Sequence, residues 1–355
     1  MKRHLIGAAA IVLGTALVGG LSVQTAAAVD PPAVPTTVTL PMFGVPLSIG
    51  IATGPGGALT EVTVDPTSNT ATSASPHKVV FMSANPAAGG APAKVVVRSK
   101  HGGLSVSARA GSLADFAGTP GGWTGDLFGD GVASSVTFSV ADLGGGAPDI
   151  TGIGTSGATA TVGTVEHSTD DDGGMSARVS VMFTNTAGDQ SRSVTIKVKV
   201  GTDEDGNPSA KLSISLGRLQ GVAIDAAKAV GHHTWKGVLC DNSPATIDYD
   251  VAIDGSVSGV TATPAGADVR TDDSGKIDVR FSHNERVRIR VREDGGMIKI
   301  SVDERIRCDS ADPTFNGSVV PNANDDNNGD NDNNGGHHGG HNDDDDTTTT
   351  TTTAP

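Results

Sequence analysis

A three-strand pattern that occurs three times constrains the fold of this chain more than any other feature of its sequence. In the last copy, residues 276–302, apolar residues occupy every second position along three short runs. Strict alternation of this kind is typical of strands with one buried side and one solvent-facing side. Residues 283–284 and 294–296, which are rich in Asn, Asp and Gly, supply turns between the runs. The sequence therefore predicts an antiparallel meander.

The same meander begins upstream at His77 and at Ala177. The three copies align Phe81, Phe183 and Phe281, each on the apolar side of its strand, and a further alternating strand precedes every copy. Agreement in order, spacing and turn positions indicates a real internal repeat. We therefore expect an all-β protein of three tandem modules, with the three phenylalanines buried at equivalent positions.

The repeat and the breaks in composition predict domain boundaries. Each module has six or seven short strands, and its size and architecture are similar to those of an immunoglobulin-like β-sandwich. Strands from different modules could instead share one larger system of sheets, and the sequence leaves this alternative open. The predicted segments are a signal peptide (1–28), a Pro-rich disordered start (29–36), module 1 (37–111), a short linker turn capped by Ser112 (112–118), module 2 (119–217), a linker helix (218–231), module 3 (232–316) and a disordered Asn/Asp/Gly/His/Thr-rich tail (317–355).

The N-terminal residues predict export. Lys2 and Arg3 precede an apolar run at 5–21, and small residues at 26–28 suit signal-peptide cleavage. No later run is long and apolar enough to predict a membrane span. We expect a secreted, extracellular protein, with cell-surface association as a further possibility. The formal net charge of −15 argues against nucleic acid as a partner.

Cys240 and Cys308 are the two cysteines of the chain. In an oxidising compartment they are expected to form a disulfide. The bond would join the beginning and the end of module 3.

An arginine stripe is the most specific candidate site. Alternation places Arg286, Arg288, Arg290 and Arg292 on one side of a strand, and Arg280 and Lys299 on the neighbouring strands could join them. Guanidinium groups bind carboxylates and phosphates through paired hydrogen bonds, so an anionic glycan or wall polymer is a plausible ligand. The alternative is a solvated face that Asp278, Asp248, Asp250 and Glu304 neutralise from adjacent strands.

Other chemistry is poorly supported. The acidic loop at Asp203 and the Asn/Asp units of the tail lack the glycine or the glutamate that an EF-hand requires. His337, His338 and His341 lie in a low-complexity tail, so we expect no specific metal site there. The chain also lacks the local signatures of nucleophilic, phosphate-binding and zinc-dependent enzymes. We therefore expect no catalytic activity and no cofactor.

Two functions fit these patterns. The chain could be a secreted, non-enzymatic β-repeat protein that acts as a surface-associated structural or interaction component. Alternatively, it could be a secreted binding module whose third domain recognises an anionic polymer through the arginine stripe. The patterns do not predict its oligomeric state.

Overall fold

The computed structural model describes residues 36–319 except 67, 68, 88, 101, 102, 130, 310 and 317, and gives only the backbone of 100, 318 and 319. Antiparallel strands account for most of this part of the chain, so the predicted all-β fold class is confirmed. Among the described residues, no helix has the length and apolar character needed to cross a membrane. The predicted signal peptide, Pro-rich start and most of the predicted tail lie outside the described residues.

A larger sandwich consists of two sheets packed around one hydrophobic core. The strand order of the first sheet is β10-β9-β8-β1-β2-β3-β25, and that of the second is β11-β13-β14-β15-β7-β6-β5-β4-β26, with β12 on β13 and β16 on β14. Their bounds are β1 Thr36–Met42, β2 Val45–Thr53, β3 Leu59–Asp65, β4 Thr70–Ser75, β5 Lys78–Ser83, β6 Ala93–Lys100, β7 Gly103–Ala110, β8 Gly121–Asp126, β9 Ala133–Asp142, β10 Pro148–Ser156, β11 Thr159–Val162, β12 Glu166–Thr169, β13 Met175–Thr184, β14 Gln190–Thr202, β15 Pro208–Leu216, β16 Gln220–Gly221, β25 Thr314–Phe315 and β26 Ser318–Val319.

Both sheets of the larger sandwich combine strands from 37–111 with strands from 119–217. β1 pairs with β8 in one sheet, and β7 pairs with β15 in the other, both antiparallel. Val106 lies directly opposite Ile214, and each belongs to the last strand of its copy of the repeated meander. The two stretches therefore share both sheets and one core.

A smaller sandwich contains the meander of residues 276–302. Its five-stranded sheet has the order β17-β24-β23-β22-β21, its three-stranded sheet has the order β18-β19-β20, and a second hydrophobic core lies between them. Alternating burial along β23 follows the apolar residues as the sequence predicts. The bounds are β17 Ala223–Asp225, β18 Gly231–Val238, β19 Pro244–Val251, β20 Val257–Thr263, β21 Asp268–Asp272, β22 Lys276–Arg280, β23 Glu285–Asp294 and β24 Met297–Ile306.

The linker at 218–231 is helical only over α1, Ala226–Ala229. Residues before it form β16 and β17 instead, because the first residues of β14, which β15 does not reach, and the edge of β24 offer backbone partners to the linker. The short helix packs inward, since Ala226 and Ala229 are buried in the second core. The turn after Ser112 forms as predicted, as a 3₁₀ helix at Leu113–Phe116 with a Ser112–Asp115 capping box, and a second 3₁₀ turn spans Pro55–Gly57.

The segment after Cys308 returns to the larger sandwich. β25 and β26 pair in parallel with β3 and β4, and the Asn316 side chain bonds both the N–H and the C=O of Val64. Strand pairing therefore extends to residue 319, which is the third residue of the predicted tail.

The three aligned phenylalanines differ in burial. Phe81 and Phe183 are completely buried, as predicted. Phe281 is only partly buried, so the prediction of equal burial is wrong for this residue. The physical reason is that β22 ends at Arg280, which leaves Phe281 beyond the strand, where its ring packs against Trp235.

Candidate functional site

The outer side of the five-stranded sheet carries all six residues of the predicted cationic site. Arg280 lies opposite Arg286, and Arg292 lies opposite Lys299, on paired strands. The intervening residues of β23 are buried in the core, which forces the arginines outward. We call this surface the Arg face; its members are Arg280, Arg286, Arg288, Arg290, Arg292 and Lys299.

Asp278 neutralises one part of the Arg face. Arg286 donates hydrogen bonds from Nε to Oδ1 of Asp278 at 2.7 Å and from Nη2 to Oδ2, and Arg288 donates from Nε to Oδ2 at 3.3 Å. Asp278 is 8% exposed. The hydrogen bonds from Arg286 are the main reason why the pKa of Asp278 falls from 3.8 to about 2, and Arg288 lowers it further. Asp278 therefore stays ionised, and it holds two guanidinium groups in fixed positions.

Three further ion pairs lie on the same face. They join Asp268 with Arg270 at 2.8 Å, Asp272 with Lys276 at 3.8 Å, and Asp303 with Arg305 at 3.4 Å. All six side chains are at least one third exposed, so each pair contributes little to stability. Each pair is neutral as a whole, so its cation adds no net positive charge to the Arg face.

Arg290, Arg292 and Lys299 form the open cluster, a part of the Arg face that no carboxylate covers. All three side chains are exposed, and none has a carboxylate oxygen within 4.0 Å among the residues that the structure describes. Arg290 and Arg292 are separated by two strand positions, about 7 Å, and Lys299 lies opposite Arg292 at about 5 Å. One anionic group can therefore contact at least two of these cations.

Arg280 lies apart from the open cluster. It is exposed, and within the described part of the chain no carboxylate oxygen approaches it to 4.0 Å. Asp268 lies directly opposite it on β21, so a negative charge faces this end of the stripe.

The acids predicted to neutralise the stripe are located differently from expectation. Asp278 is on the Arg face, as the alternative interpretation requires. Asp248 and Asp250 belong to the other sheet, where they contact Thr234 and His232. Glu304 accepts a hydrogen bond from Nε1 of Trp235 at 2.7 Å, on the inward side of β24. The interpretation is therefore wrong for these three residues. Alternation does not tell which sheet Asp248 and Asp250 join, and Glu304 is in phase with the buried residues of β24, which turns it away from the Arg face.

The predicted disulfide between Cys240 and Cys308 is confirmed. The backbone N–H of Cys240 also donates to Oε1 of Glu285 at 2.6 Å, and Glu285 is the buried first residue of β23. The disulfide and this hydrogen bond thus fix the start of the strand that carries four of the six cations.

Other candidate sites have local structural roles. The carboxylate of Asp203 accepts hydrogen bonds from the backbone N–H groups of Asp205 and Asn207, which stabilises the β14–β15 turn. The described residues contain no group of three or more His, Cys, Asp or Glu side chains placed to hold a metal ion. His337, His338 and His341 lie outside the described residues.

Sequence reasoning identified Asp278 but missed three other acids on the Arg face, Asp268, Asp272 and Asp303. The alternation of Asp268, Arg270 and Asp272 along β21 is a signal that could have located two of them. Asp303 gives no comparable signal, because its position on the face follows from the pairing of β23 with β24.

Comparisons of the chain with protein-family models, with curated proteins and with solved structures gave no match.

Proposed function

We propose that this protein is a secreted, non-enzymatic interaction protein that binds an anionic extracellular polymer, a glycan or a wall polymer, through the Arg face. The observation that carries the proposal is the open cluster. Arg290, Arg292 and Lys299 are exposed on the outer side of the five-stranded sheet and have no carboxylate within ion-pair distance in the described part of the chain. This local excess of positive charge belongs to a chain with a net charge of −15.

The chemistry of the cluster suits carboxylate, sulfate or phosphate groups on a chain. Guanidinium groups offer two parallel donors to such groups, whereas a solvated ammonium acts as a point charge. Arg286 and Arg288 extend the cationic surface, but their guanidinium groups already donate to Asp278. We therefore expect them to contribute less than the open cluster to contacts with the polymer. Binding through exposed charges of this kind is expected to weaken steeply with salt.

Retention of the exported chain on an immobilised acidic polysaccharide, eluted with a salt gradient, tests the proposal. The Arg290→Gln, Arg292→Gln, Lys299→Gln variant is expected to elute at markedly lower salt than the unmodified chain. A matched control, Arg218→Gln, Lys228→Gln, Lys236→Gln, removes the same charge from exposed positions elsewhere. Equal elution of the two variants would contradict binding at the open cluster.

The competing function is a surface-associated structural component whose Arg face is merely solvated. The ion pairs of Asp278, Asp268, Asp272 and Asp303 favour that view for the outer part of the face. Absence of salt-dependent retention would leave this function as the better description.

A further inference from the structure

A second group of cations lies on the outer side of the eleven-stranded sheet. Strand pairing places Lys94 opposite Arg109, Arg109 opposite Lys211, and Lys211 opposite Lys199. These four residues form one row across β6, β7, β15 and β14. Lys197 lies two positions from Lys199 on β14 and opposite Arg178 on β13. We call Lys94, Arg109, Lys211, Lys199, Lys197 and Arg178 the basic band.

The basic band is exposed and poorly neutralised. Lys199 pairs with Asp170 at 2.6 Å, and Glu166 lies opposite Arg178 on β12. Lys94, Arg109, Lys211 and Lys197 are all exposed, and within the described ranges no carboxylate oxygen lies within 4.0 Å of their charged groups.

The positive charges of the basic band act on one another. Burial is the main reason why the pKa of Lys211 is lowered, and Arg109, Arg98, Lys197 and Lys199 lower it further. Like charges at this spacing repel, and an anion placed over the row would relieve that repulsion.

The geometry of the basic band suits a linear ligand. Neighbouring strands are about 4.8 Å apart, so the band extends about 19 Å from β6 to β13. It crosses the β7–β15 pair, where the two related halves of the larger sandwich meet. We propose that the basic band is a second binding site for a linear polyanion, which follows the row across the strands and contacts successive cations.

A chain with two such sites can bridge two polymer molecules. The basic band belongs to the larger sandwich and the Arg face to the smaller one. Binding at the band does not depend on the Arg face, whereas cross-linking rests on the proposed function of the Arg face as well. Two linked sites also bind one long polymer more tightly than either site alone.

The experiment compares two variants with the unmodified mature chain. The band variant is Lys94→Gln, Arg109→Gln, Lys211→Gln, and the face variant is Arg290→Gln, Arg292→Gln, Lys299→Gln. Calorimetric titration with a heparin octasaccharide at 50 mM salt measures the number of sites and their affinity. Long-chain heparin, followed by turbidity, measures cross-linking. Circular-dichroism melting confirms that each variant is folded, and Arg218→Gln, Lys228→Gln, Lys236→Gln controls for lost charge.

We expect two octasaccharide sites on the unmodified chain and on the control, and one on each variant. In the band variant, the affinity of the basic band for the octasaccharide is expected to fall at least tenfold, so that this site is no longer detected. Long-chain heparin mixed with the band variant is expected to stay clear. If the band variant binds the same number of octasaccharides with the same affinity as the unmodified chain, the proposal that the basic band is a second binding site is wrong. Loss of binding only in the band variant would support the band and contradict the Arg face. If the chain binds vesicles that contain phosphatidylglycerol but does not bind heparin, the proposal of a polymer ligand is wrong and the ligand is a membrane surface.

Discussion

Replacing Asp278 by asparagine is expected to lower the stability of the protein and to raise its affinity for a polyanion. The carboxylate accepts hydrogen bonds from Arg286 and Arg288 on the neighbouring strand. Asparagine has nearly the same shape but carries no charge, so both guanidinium groups would lose their counter-ion. The substitution is thus expected to lower the free energy of unfolding and to raise the affinity for a polyanion. If the charges of this face were only structural, stability alone would change.

The change in stability follows from the pKa of Asp278. The shift from 3.8 to about 2 corresponds to roughly 2 kcal/mol of unfolding free energy, at about 1.4 kcal/mol per pKa unit. Because the pKa in the folded state is lowered, this contribution is present at pH values above 3.8 and is lost as the pH falls towards 2. The Asp278→Asn variant should therefore be less stable than the unmodified chain at pH 7, and the difference should shrink between pH 4 and pH 2.

The change in affinity follows from Coulomb's law. Removing one negative charge about 8 Å from a bound anion is worth about 0.5 kcal/mol in water, or about a twofold gain in affinity. Denaturant unfolding at several pH values and titration with a heparin octasaccharide at 50 mM salt measure the two quantities. A variant that loses stability but binds no more tightly would refute the assignment of Asp278 to the binding surface.

Two further predictions concern the cores. Replacing Cys240 and Cys308 by alanine should cost about 4 kcal/mol of unfolding free energy, because the bond closes a loop with a sequence separation of 68 residues; an unchanged denaturant midpoint would contradict this. Replacing the completely buried Phe81 by alanine should cost about 3–5 kcal/mol, and the same change at the partly buried Phe281 should cost less. Equal losses in thermal melting would show that the difference in burial is not significant for packing.

The strands of the meander could be predicted from the sequence because successive side chains of a strand point to opposite sides, whichever strand lies next to it. Alternation in residues 276–302 gave β22, β23 and β24, and it placed the arginines outward because Val287, Ile289 and Val291 are apolar. The pairing of β7 with β15 was not predictable in this way. The alternation of apolar residues indicates which side of a strand is buried, but it does not indicate which other strand pairs with it.

The same limit explains the differences at the candidate sites. Asp248 alternates correctly with apolar residues, yet it belongs to the other sheet. Glu304 is in phase with the apolar residues of β24, and its side chain faces Trp235. The basic band gave no sequence signal as a group, because Arg109 and Lys211 are far apart in the chain and meet only through strand register. The linker helix was overestimated because β14 and β24 bind the linker backbone as strands.

The most direct test of the Arg face is nuclear magnetic resonance of the arginine side chains during titration with a heparin octasaccharide. Binding at the open cluster predicts saturable shifts of the Nε–Hε signals of Arg290 and Arg292 and of the Nζ signal of Lys299. The signal of Arg286, which Asp278 already holds, should move much less. Saturable binding that leaves Arg290 and Arg292 unchanged would contradict the Arg face as the polymer-binding surface.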